Sequence, residues 1–311
     1  MAIHGVLVLD KPTGLSSASA VEHVKRTLGA ARAGHGGTLD PIATGVLTVC
    51  LGAGTKIAQY LLADDKAYEA DGVLGFETDT LDRSGQIVAE RPVRVTEEAL
   101  RAAIAARLGE QNQIPPIYSA IKQGGVRNYH RARQGETVEP VARRIRIDRL
   151  ELLAFTPPRF RIAIACSKGT YIRSIVADLG TDVGCGAYLS ELRRTRSGLF
   201  SIDQAVRMDQ VAGLDLATGL VQLPDATGLP RAVVPLALMK PVLSGVQLAI
   251  ECWDPSLQAL PVGWSVTPPA PGGTEGPRFQ LVDDHDRLIA IVHAEGGKTI
   301  YDRVFPELVR A

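Results

Sequence analysis

The sequence GHGGTLDPIATGVL at residues 34–47 places one carboxylate, Asp40, after three glycines and directly before Pro41. Glycine has no side chain, so the backbone can turn sharply here and a large ligand can approach closely. Pro41 fixes the backbone after the turn, and the apolar run Val46–Leu51 predicts a buried strand that anchors the loop. A carboxylate on such a loop suits a nucleophile or a general base, although Asp-Pro is also a common way to start a turn or to cap one helical turn.

Composition sets the outer bounds for the class of protein. The chain has 311 residues, of which 45% are hydrophobic and 22% are charged, as expected for a globular protein with a large core. The N-terminus has no signal-peptide pattern and no apolar run approaches the roughly 20 residues that span a bilayer, so we expect a cytoplasmic protein without membrane contact. The four cysteines (Cys50, Cys166, Cys185 and Cys252) and the six histidines lack ligand spacing, which predicts reduced thiols in or near the core and no metal site.

The formal net charge is zero, but the positive charge is concentrated in two stretches. Residues 122–149 hold eight basic and three acidic side chains, and residues 159–196 hold seven basic and three acidic side chains. The last 81 residues, by contrast, hold seven basic and nine acidic side chains. A neutral protein with this distribution can present a basic cleft to phosphates, although such arginines are also common on solvated faces.

Apolar periodicity predicts an α+β fold. Strands are expected at 6–9, 46–51, 145–150 and 162–166, and helices at about 19–29 and 96–109 and from Thr170 to Gly180. The Pro- and Gly-containing segment 223–235 predicts a linker, and 278–282 with 288–293 predict a hairpin in a short β-rich tail. Strands and helices alternate irregularly, so a mixed and mostly antiparallel sheet is favoured over a βαβ repeat.

Six segments, in this order, resemble the motifs of the B-type (TruB) tRNA pseudouridine synthases. They are GVLVLDKPTGLSS (5–17), GHGGTLDPIATGVL (34–47), KAYEA (66–70), QIPPIYSAIK (113–122), GTYIRS (169–174) and AYLSELRRTRSG (187–198). The resemblance covers about the first 230 residues and extends more weakly to the remainder. It implies the pseudouridine-synthase fold, with a catalytic domain at 1–230, an RNA-clamping insertion at about 122–149, and a small PUA-like RNA-binding domain at 236–311.

The same resemblance implies catalytic roles for three residues. Asp40 matches the family's catalytic aspartate, which either attacks uracil or ribose or removes a ribose proton. Tyr68 matches the active-site tyrosine, whose ring can stack on a flipped base. Arg173 matches the arginine that pairs with the aspartate. If Thr170 caps the helix that follows, Arg173 carries its positive charge into the first turn, where it opposes the helix dipole. This position favours an anionic neighbour, either Asp40 or a phosphate, with a solvated side chain as the alternative.

Further residues are implied as substrate contacts. Tyr171 and Leu192 match positions that line the uracil pocket, and His35 matches a histidine that fills space left by extruded nucleotides. Lys11 is expected either to support the site or to touch backbone phosphate. In the insertion, the candidates for phosphate or stacking contacts are Tyr129, Arg131, Arg133 and Arg143. Each of these residues can equally be an ordinary core or surface side chain.

Two other motifs are incomplete. Residues 52–56, GAGTK, lack the four-residue gap of a phosphate-binding P-loop. Residues 79–85, DTLDRSG, have Leu81 and Arg83 where a calcium loop needs oxygen ligands, so we interpret them as an acidic turn near the site.

The resemblance predicts an isomerase that acts on the T-loop uridine, position 55, of tRNA without a cofactor, as a stand-alone monomer that binds the T arm. Two alternatives are a guide-dependent pseudouridine synthase and an RNA-binding or tRNA-folding module with secondary activity. A nucleotide-binding enzyme is disfavoured because no complete phosphate motif is present.

Overall fold

The computed structural model describes residues 2–118, 122–123, 126–127, 141–249, 276 and 278–309. The strands are β1 (Gly5–Lys11), β2 (Ala33–His35), β3 (Thr44–Leu51), β4 (Lys66–Leu74), β5 (Phe76–Thr78), β6 (Ile87–Glu90), β7 (Gly109–Gln113), β8 (Lys122–Gln123), β9 (Val126–Arg127), β10 (Arg143–Thr156), β11 (Arg159–Cys166), β12 (Ala187–Ser197), β13 (Phe200–Ser201), β14 (Val206–Arg207), β15 (Arg231–Val233), β16 (Arg278–Val282), β17 (Leu288–Glu295) and β18 (Lys298–Val304). The helices are α1 (Ser17–Leu28), α2 (Ala58–Leu62), α3 (Glu97–Ala106), α4 (Ile172–Asp182), α5 (Leu216–Gly219), α6 (Leu223–Thr227), α7 (Met239–Leu243) and α8 (Pro306–Val309).

A ten-stranded sheet organises the larger part of the chain. Its order is β14-β1-β3-β12-β4-β11-β10-β7, with β2 beside β3 and β13 beside β12. All neighbours are antiparallel except β1 with β14 and β3 with β12. Helices α1, α3 and α4 bury their apolar stripes in the main core against this sheet. The predicted mixed, mostly antiparallel α+β architecture is therefore confirmed.

The parallel pair of β3 and β12 is short and requires close backbone approach. It covers only Thr44 and Gly45 opposite Arg193 and Arg194. A Cβ on Gly45 would lie 2.2 Å from the carbonyl oxygen of Arg194, and the φ of Gly45 is +97°. Glycine is required here on both counts, because side chains rarely adopt this conformation and have no space. The contact joins the strand that follows the Asp40 loop to the strand of the sixth motif.

Helix boundaries follow local hydrogen bonds. Helix α1 is capped by Ser16, whose side chain accepts from the Ser19 amide, and it ends at Gly29 in the left-handed conformation. Helix α3 is capped by Thr96, whose side chain accepts from the Ala99 amide, at the predicted start of this helix. The predicted cap of α4 by Thr170 is wrong, because the Thr170 hydroxyl donates instead to the Ser167 carbonyl and the helix begins after Tyr171 without a side-chain cap.

Gly180 was expected to close α4, but the helix continues to Asp182. Gly180 serves packing instead, because a Cβ there would lie 2.1 Å from the backbone nitrogen of Ala187. The predicted linker at 223–235 is also wrong. It contains α6, with Leu223 and Ala226 buried, and β15, which pairs with β16.

The tail forms a second, four-stranded sheet in the order β15-β16-β17-β18, and its predicted hairpin of β16 and β17 is confirmed. Leu288, Ile291 and Phe305 of this unit share a buried cluster with Ile57 and Leu61. The small sheet therefore packs directly on the segment that follows β3.

Candidate active site

The Asp40 loop is held by backbone and side-chain hydrogen bonds on both sides of the carboxylate. The buried Ser17 hydroxyl donates to the carbonyl of Leu39 at 2.9 Å and accepts from the Leu39 amide at 2.8 Å. The amide of Ala43 donates to the carbonyl of Asp40 at 3.0 Å. Before the carboxylate, the amide of Gly36 donates to the carbonyl of Thr48 at 3.0 Å. The loop is thus a fixed bend against α1 and β3, as the glycine pattern predicted.

Arg173 lies directly against the carboxylate of Asp40. Its Nε is 2.9 Å from Asp40 Oδ2, and the arginine side chain is 6% exposed whereas that of Asp40 is 35% exposed. The Nε–H is not aimed along a hydrogen bond, so the contact is an ion pair by distance only. The other two nitrogens donate to the carbonyls of Thr80 at 3.0 Å and Tyr118 at 3.1 Å. Arg173 is therefore fixed from behind, and its positive charge faces a carboxylate that remains open to solvent.

The acidic turn at 79–85 supplies a second carboxylate. Asp82 Oδ2 lies 3.8 Å from Arg173 Nε. Its Oδ1 accepts from the Thr80 hydroxyl and from the amide and hydroxyl of Ser84. Asp82 is almost fully buried, so these donors and the arginine replace the water that its charge would otherwise need. The sequence placed this turn near the site, and the structure adds its direct contact with Arg173.

A buried glutamine clamps the start of α4. Gln113, at the end of β7, accepts from the amide of Tyr171 at 2.8 Å and donates to its carbonyl at 3.0 Å. Ser174 donates to the carbonyl of Ile114 at 3.1 Å, next to Gln113 in the chain. Sequence analysis did not single out Gln113, although it opens the QIPPIYSAIK motif. The clamp fixes the turn that carries Arg173.

Tyr171 and Arg143 meet at the rim of this region. The Arg143 guanidinium carbon lies 5.4 Å from the centre of the Tyr171 ring, and its Nη1 donates to the Gly169 carbonyl at 3.3 Å. A guanidinium beside an aromatic ring is a favourable cation–π arrangement. Of the candidates in the insertion, Arg143 is therefore brought to the site, whereas Tyr129, Arg131 and Arg133 lie outside the residues that the structure describes.

Tyr68 lies on β4, opposite Arg194 on β12 and opposite Ile164 on β11. Burial raises the pKa of the Tyr68 phenol, while the charge of Arg194 and a hydrogen bond with it oppose that rise. The Asp40 charge also contributes to the raised pKa. The phenol therefore stays protonated and can donate a hydrogen bond.

Lys11 is fully buried at the end of β1. Its Nζ donates to the carbonyls of Pro12 at 2.9 Å and Leu15 at 2.8 Å. Burial lowers the pKa of Lys11 to about 8, the Asp40 charge raises it, and the Arg194 charge lowers it. Of the two expectations for this residue, support of the site fits its burial better than contact with phosphate.

His35 is half-buried at the end of β2, beside the loop. Burial, and secondarily the charge of Arg194, lowers the pKa of its ring, so the neutral form is favoured at pH 7. Its Nδ1 is buried without a hydrogen-bond partner among the described residues. The ring therefore has unused hydrogen-bonding capacity next to the Asp40 loop.

A cavity of about 290 Å³ adjoins the site at Leu192. Leu192 is buried and its carbonyl accepts from Thr44 at 3.4 Å. The other residues that line the cavity are Thr13, Ile42, Thr44, Glu69, Asp71, Arg83, Arg161, Glu191 and Arg193. Asp40, Tyr68 and Arg173 do not line it, so the cavity lies beside the Asp40–Arg173 ion pair and does not contain it.

The described residues contain one cluster with metal-ligand spacing, at Asp283, Asp284 and His285. Asp283 accepts from the amides of His285 and Arg287 and pairs with the Arg287 side chain at 2.7 Å. These contacts explain the cluster as a turn between β16 and β17. The described thiols of Cys50, Cys166 and Cys185 are free and buried, as predicted, while Cys252 lies outside the described residues.

None of the helices in the described part of the chain is long and apolar enough to cross a membrane.

Comparison with known proteins gives matches over most of the chain. Residues 25–172 match the family described as TruB family pseudouridylate synthase (N terminal domain), and residues 173–236 match the tRNA pseudouridylate synthase B C-terminal domain. The tRNA pseudouridine synthase B of Aromatoleum aromaticum is 47% identical over 254 residues, which cover 80% of this chain and 82% of that protein. The protein of the same name from Ralstonia nicotianae is 44% identical over 268 residues, which cover 84% and 85%.

Solved structures show the same fold. A chain in the crystal structure of a Cbf5-Nop10-Gar1 complex superimposes with a TM-score of 0.71 at 25% identity. The match covers 96% of this chain and 84% of that one.

Proposed function

This chain belongs to the TruB family of pseudouridylate synthases, and we propose that it isomerises the T-loop uridine at position 55 of tRNA. The observation that carries the proposal is the half-exposed Asp40 carboxylate, held 2.9 Å from the buried Arg173 on a loop fixed by Ser17 and Thr48. Family membership supplies the isomerase activity on tRNA. The position in the T loop, the flipped base and the role of each residue are our proposals.

The reaction breaks the bond between ribose C1′ and uracil N1 and forms a bond between C1′ and C5. The proton on C5 is lost and N1 gains one, so no atom or electron is added overall. Asp40 acts at this centre, by attack on uracil or ribose or by removal of a ribose proton. Arg173 holds its positive charge 2.9 Å from this carboxylate and so fixes its position.

Tyr68 and Leu192 form the walls that receive the base. Extrusion of a nucleotide costs a few kcal/mol, and an aromatic ring that stacks on the flipped base offsets part of that cost. Tyr171 and Arg143 lie at the rim, where a ring and a guanidinium suit a nucleotide and its phosphate. His35 fills space beside the loop, and Lys11 holds the turn that follows β1 by donating to the carbonyls of Pro12 and Leu15.

The proposed function assigns separate roles to two domains of the chain. We propose a catalytic domain at 1–230 and a small RNA-binding domain at 236–311, with the insertion at about 122–149 closing on the T arm. The chain acts as a monomer on tRNA without a cofactor. The short strand β15 already joins the small sheet, so the two domains are connected without a free linker.

The test is tritium release from a tRNA transcript labelled at uridine C5. The assay contains the purified chain and the transcript, without guide RNA, metal or cofactor. We expect release by the wild type, none from a transcript with cytidine at position 55, and none by Asp40→Asn. Asp182→Asn is the matched control, because it removes a similarly exposed carboxylate that pairs with Arg107 instead. Equal release by Asp40→Asn and the wild type would show that another carboxylate is responsible.

One structural likeness supports an alternative function. The Cbf5 chain that this protein resembles was solved in a complex with Nop10 and Gar1. If the purified chain binds tRNA but releases no tritium, a guide-dependent enzyme or an RNA-binding module becomes the better explanation. Recovery of release by added guide RNA and partner proteins would separate the first of these from the second.

A further inference from the structure

Arg194 is the largest of the fully buried side chains in the described part of the chain, with 1% exposure. It lies on β12, and each of its three nitrogens faces a backbone carbonyl. Nε donates to Val46 at 2.7 Å, Nη2 to Gly37 at 3.1 Å and Nη1 to Thr38 at 3.4 Å. The fork therefore joins the loop before Asp40 to the strand after it.

The charge of Arg194 is not neutralised by a carboxylate. Among the described residues, no ion pair involves this guanidinium, although the flanking Arg193 pairs with Asp10 at 2.9 Å. Carbonyl groups satisfy its donors but do not cancel its charge. A buried charge without a partner is costly, and proteins usually retain one only where it is paired or used.

The neighbours of Arg194 are mostly cationic or neutral. Its charge acts on Lys11, His35, Lys66 and Tyr68. Burial is the main cause that lowers the pKa of Lys66 to about 8, and the Arg194 charge adds to that effect. The Asp40 carboxylate acts in the opposite direction and raises the pKa of Lys11. It is the negative charge of the loop that acts on this lysine. Lys11, Lys66 and Arg194 thus form a buried group of cations behind the loop, and the carboxylates of Asp64 and Asp65 also act on Lys66.

We propose that Arg194 is a positioning residue for the isomerisation, which holds the carbonyls of the Asp40 loop and places a fixed positive charge behind Tyr68. The inference rests on the proposed function. In a route where the C1′–N1 bond breaks with its electron pair on the base, uracil is negative until C5 bonds to C1′. A preorganised buried charge stabilises that state without reorganisation, because the guanidinium is already held by three carbonyls.

Two substitutions separate charge from structural support. Arg194→Met removes the charge and the donors at similar length, whereas Arg194→Lys keeps a charge on a single nitrogen. A buried lysine without a carboxylate is expected to stabilise the fold no better than methionine. Arg196→Met is the matched control, because Arg196 is exposed two positions further along the same strand.

The measurements are the melting temperature, the Kd for tRNA and the single-turnover rate of tritium release for each protein. We expect Arg194→Met to lower the rate about 100-fold with the Kd within about threefold of wild type. We expect Arg194→Lys to be no more stable than Arg194→Met and yet about tenfold faster. Arg196→Met should match the wild type in all three measurements.

A purely structural role predicts that the rates follow the order of stability. The inference is overturned if Arg194→Met is at least as fast as Arg194→Lys, or if a weaker Kd accounts for the whole loss. If Arg194→Met does not fold, Arg194→Gln replaces it as the neutral variant in the same comparison. A wild type that releases no tritium refutes the proposed function instead, so the two failures are distinguishable.

Discussion

At the scale of single residues, the candidate site combines one guanidinium with two carboxylates of different accessibility. Arg173 is 2.9 Å from the half-exposed Asp40 and 3.8 Å from the buried Asp82. Removal of one partner from a buried ion pair is usually destabilising, because the remaining charge loses its compensation. Here Asp40→Asn leaves Arg173 with Asp82 and two carbonyl acceptors. The variant should therefore fold, which makes its activity a clean test of the carboxylate.

Lys11 gives a prediction for the pH dependence of stability. Its folded-state pKa is lowered from 10.5 to about 8, mainly by burial. Between these values the unfolded chain binds more protons than the folded chain, so the lysine's contribution to the free energy of unfolding rises with pH. From pH 7 to pH 9.5 this difference amounts to about 2 kcal/mol.

The measurement is urea unfolding of the wild type and of Lys11→Met at both pH values. We expect the wild type to gain about 2 kcal/mol relative to Lys11→Met on going from pH 7 to pH 9.5. The difference between the two proteins removes the effects of groups that they share, among them Lys66 with its similarly lowered pKa. A difference that does not change with pH would mean that Lys11 titrates normally in the folded protein.

At the scale of elements, the position of Asp40 depends on a close approach between the loop, β3 and α2. A Cβ on Gly36 would lie 2.5 Å from Thr48 Oγ1 and 2.6 Å from the Cβ of Leu61. Neither neighbour can yield easily, since both are buried in adjacent elements. Glycine is therefore required at position 36 because a Cβ has no space there. Backbone conformation is not the reason, since the φ of Gly36 lies outside the left-handed region.

We predict that Gly36→Ala lowers the free energy of unfolding by about 1–3 kcal/mol, the usual cost of overpacking. Because the clash pushes the loop away from β3, the rate of tritium release should fall while the Kd for tRNA changes little. Gly34→Ala is the matched control, since its Cβ would meet only Thr55 Cγ2 at 3.8 Å. Chemical denaturation gives the stability of each variant, and single-turnover assays give its rate of tritium release. Equal stability and equal rates for the two variants would contradict the proposed need for space at Gly36.

At the scale of the whole molecule, apolar periodicity predicted the elements well where one face meets the core. Ile145, Ile147 and Leu150 are buried in β10 as expected, between exposed arginines. The failures have local causes. Thr170 bonds backward to Ser167 rather than capping α4, and the turn residues of 223–235 conceal a strand whose partner, β16, lies some 50 positions later in the chain.

The candidate site was predictable only where a motif named the residue. Asp40 and Arg173 meet as the family resemblance implied. Arg194 and Gln113 were missed, because their partners are backbone groups far away in sequence. Arg194 binds the carbonyl of Gly37, 157 positions away, and Gln113 binds Tyr171, 58 positions away. A buried polar side chain that serves distant carbonyls leaves no periodic signal in its own segment.

Among the described residues, a cluster around Phe305 joins the small sheet to the larger unit. Phe305 is fully buried between the two units, in the cluster that contains Ile57 and Leu61. Lys56 donates to the carbonyl of Val304 at 3.1 Å, pairs with Glu307 at 2.6 Å and lies 5.3 Å from the centre of the Phe305 ring. Leu61 also packs on the Asp40 loop at Gly36. A displacement of the small sheet can therefore be transmitted through α2 to the Asp40 loop.

We predict that Phe305→Ala destabilises the protein by about 3–5 kcal/mol, as expected for a buried aromatic side chain, and loosens both units at once. Hydrogen exchange should rise in residues 52–62 as well as in 288–304. Phe279→Ala is the matched control, because Phe279 is buried in the separate core of the small sheet. It should raise exchange in the tail alone. If Phe305→Ala leaves residues 52–62 protected, the two units are not coupled through α2.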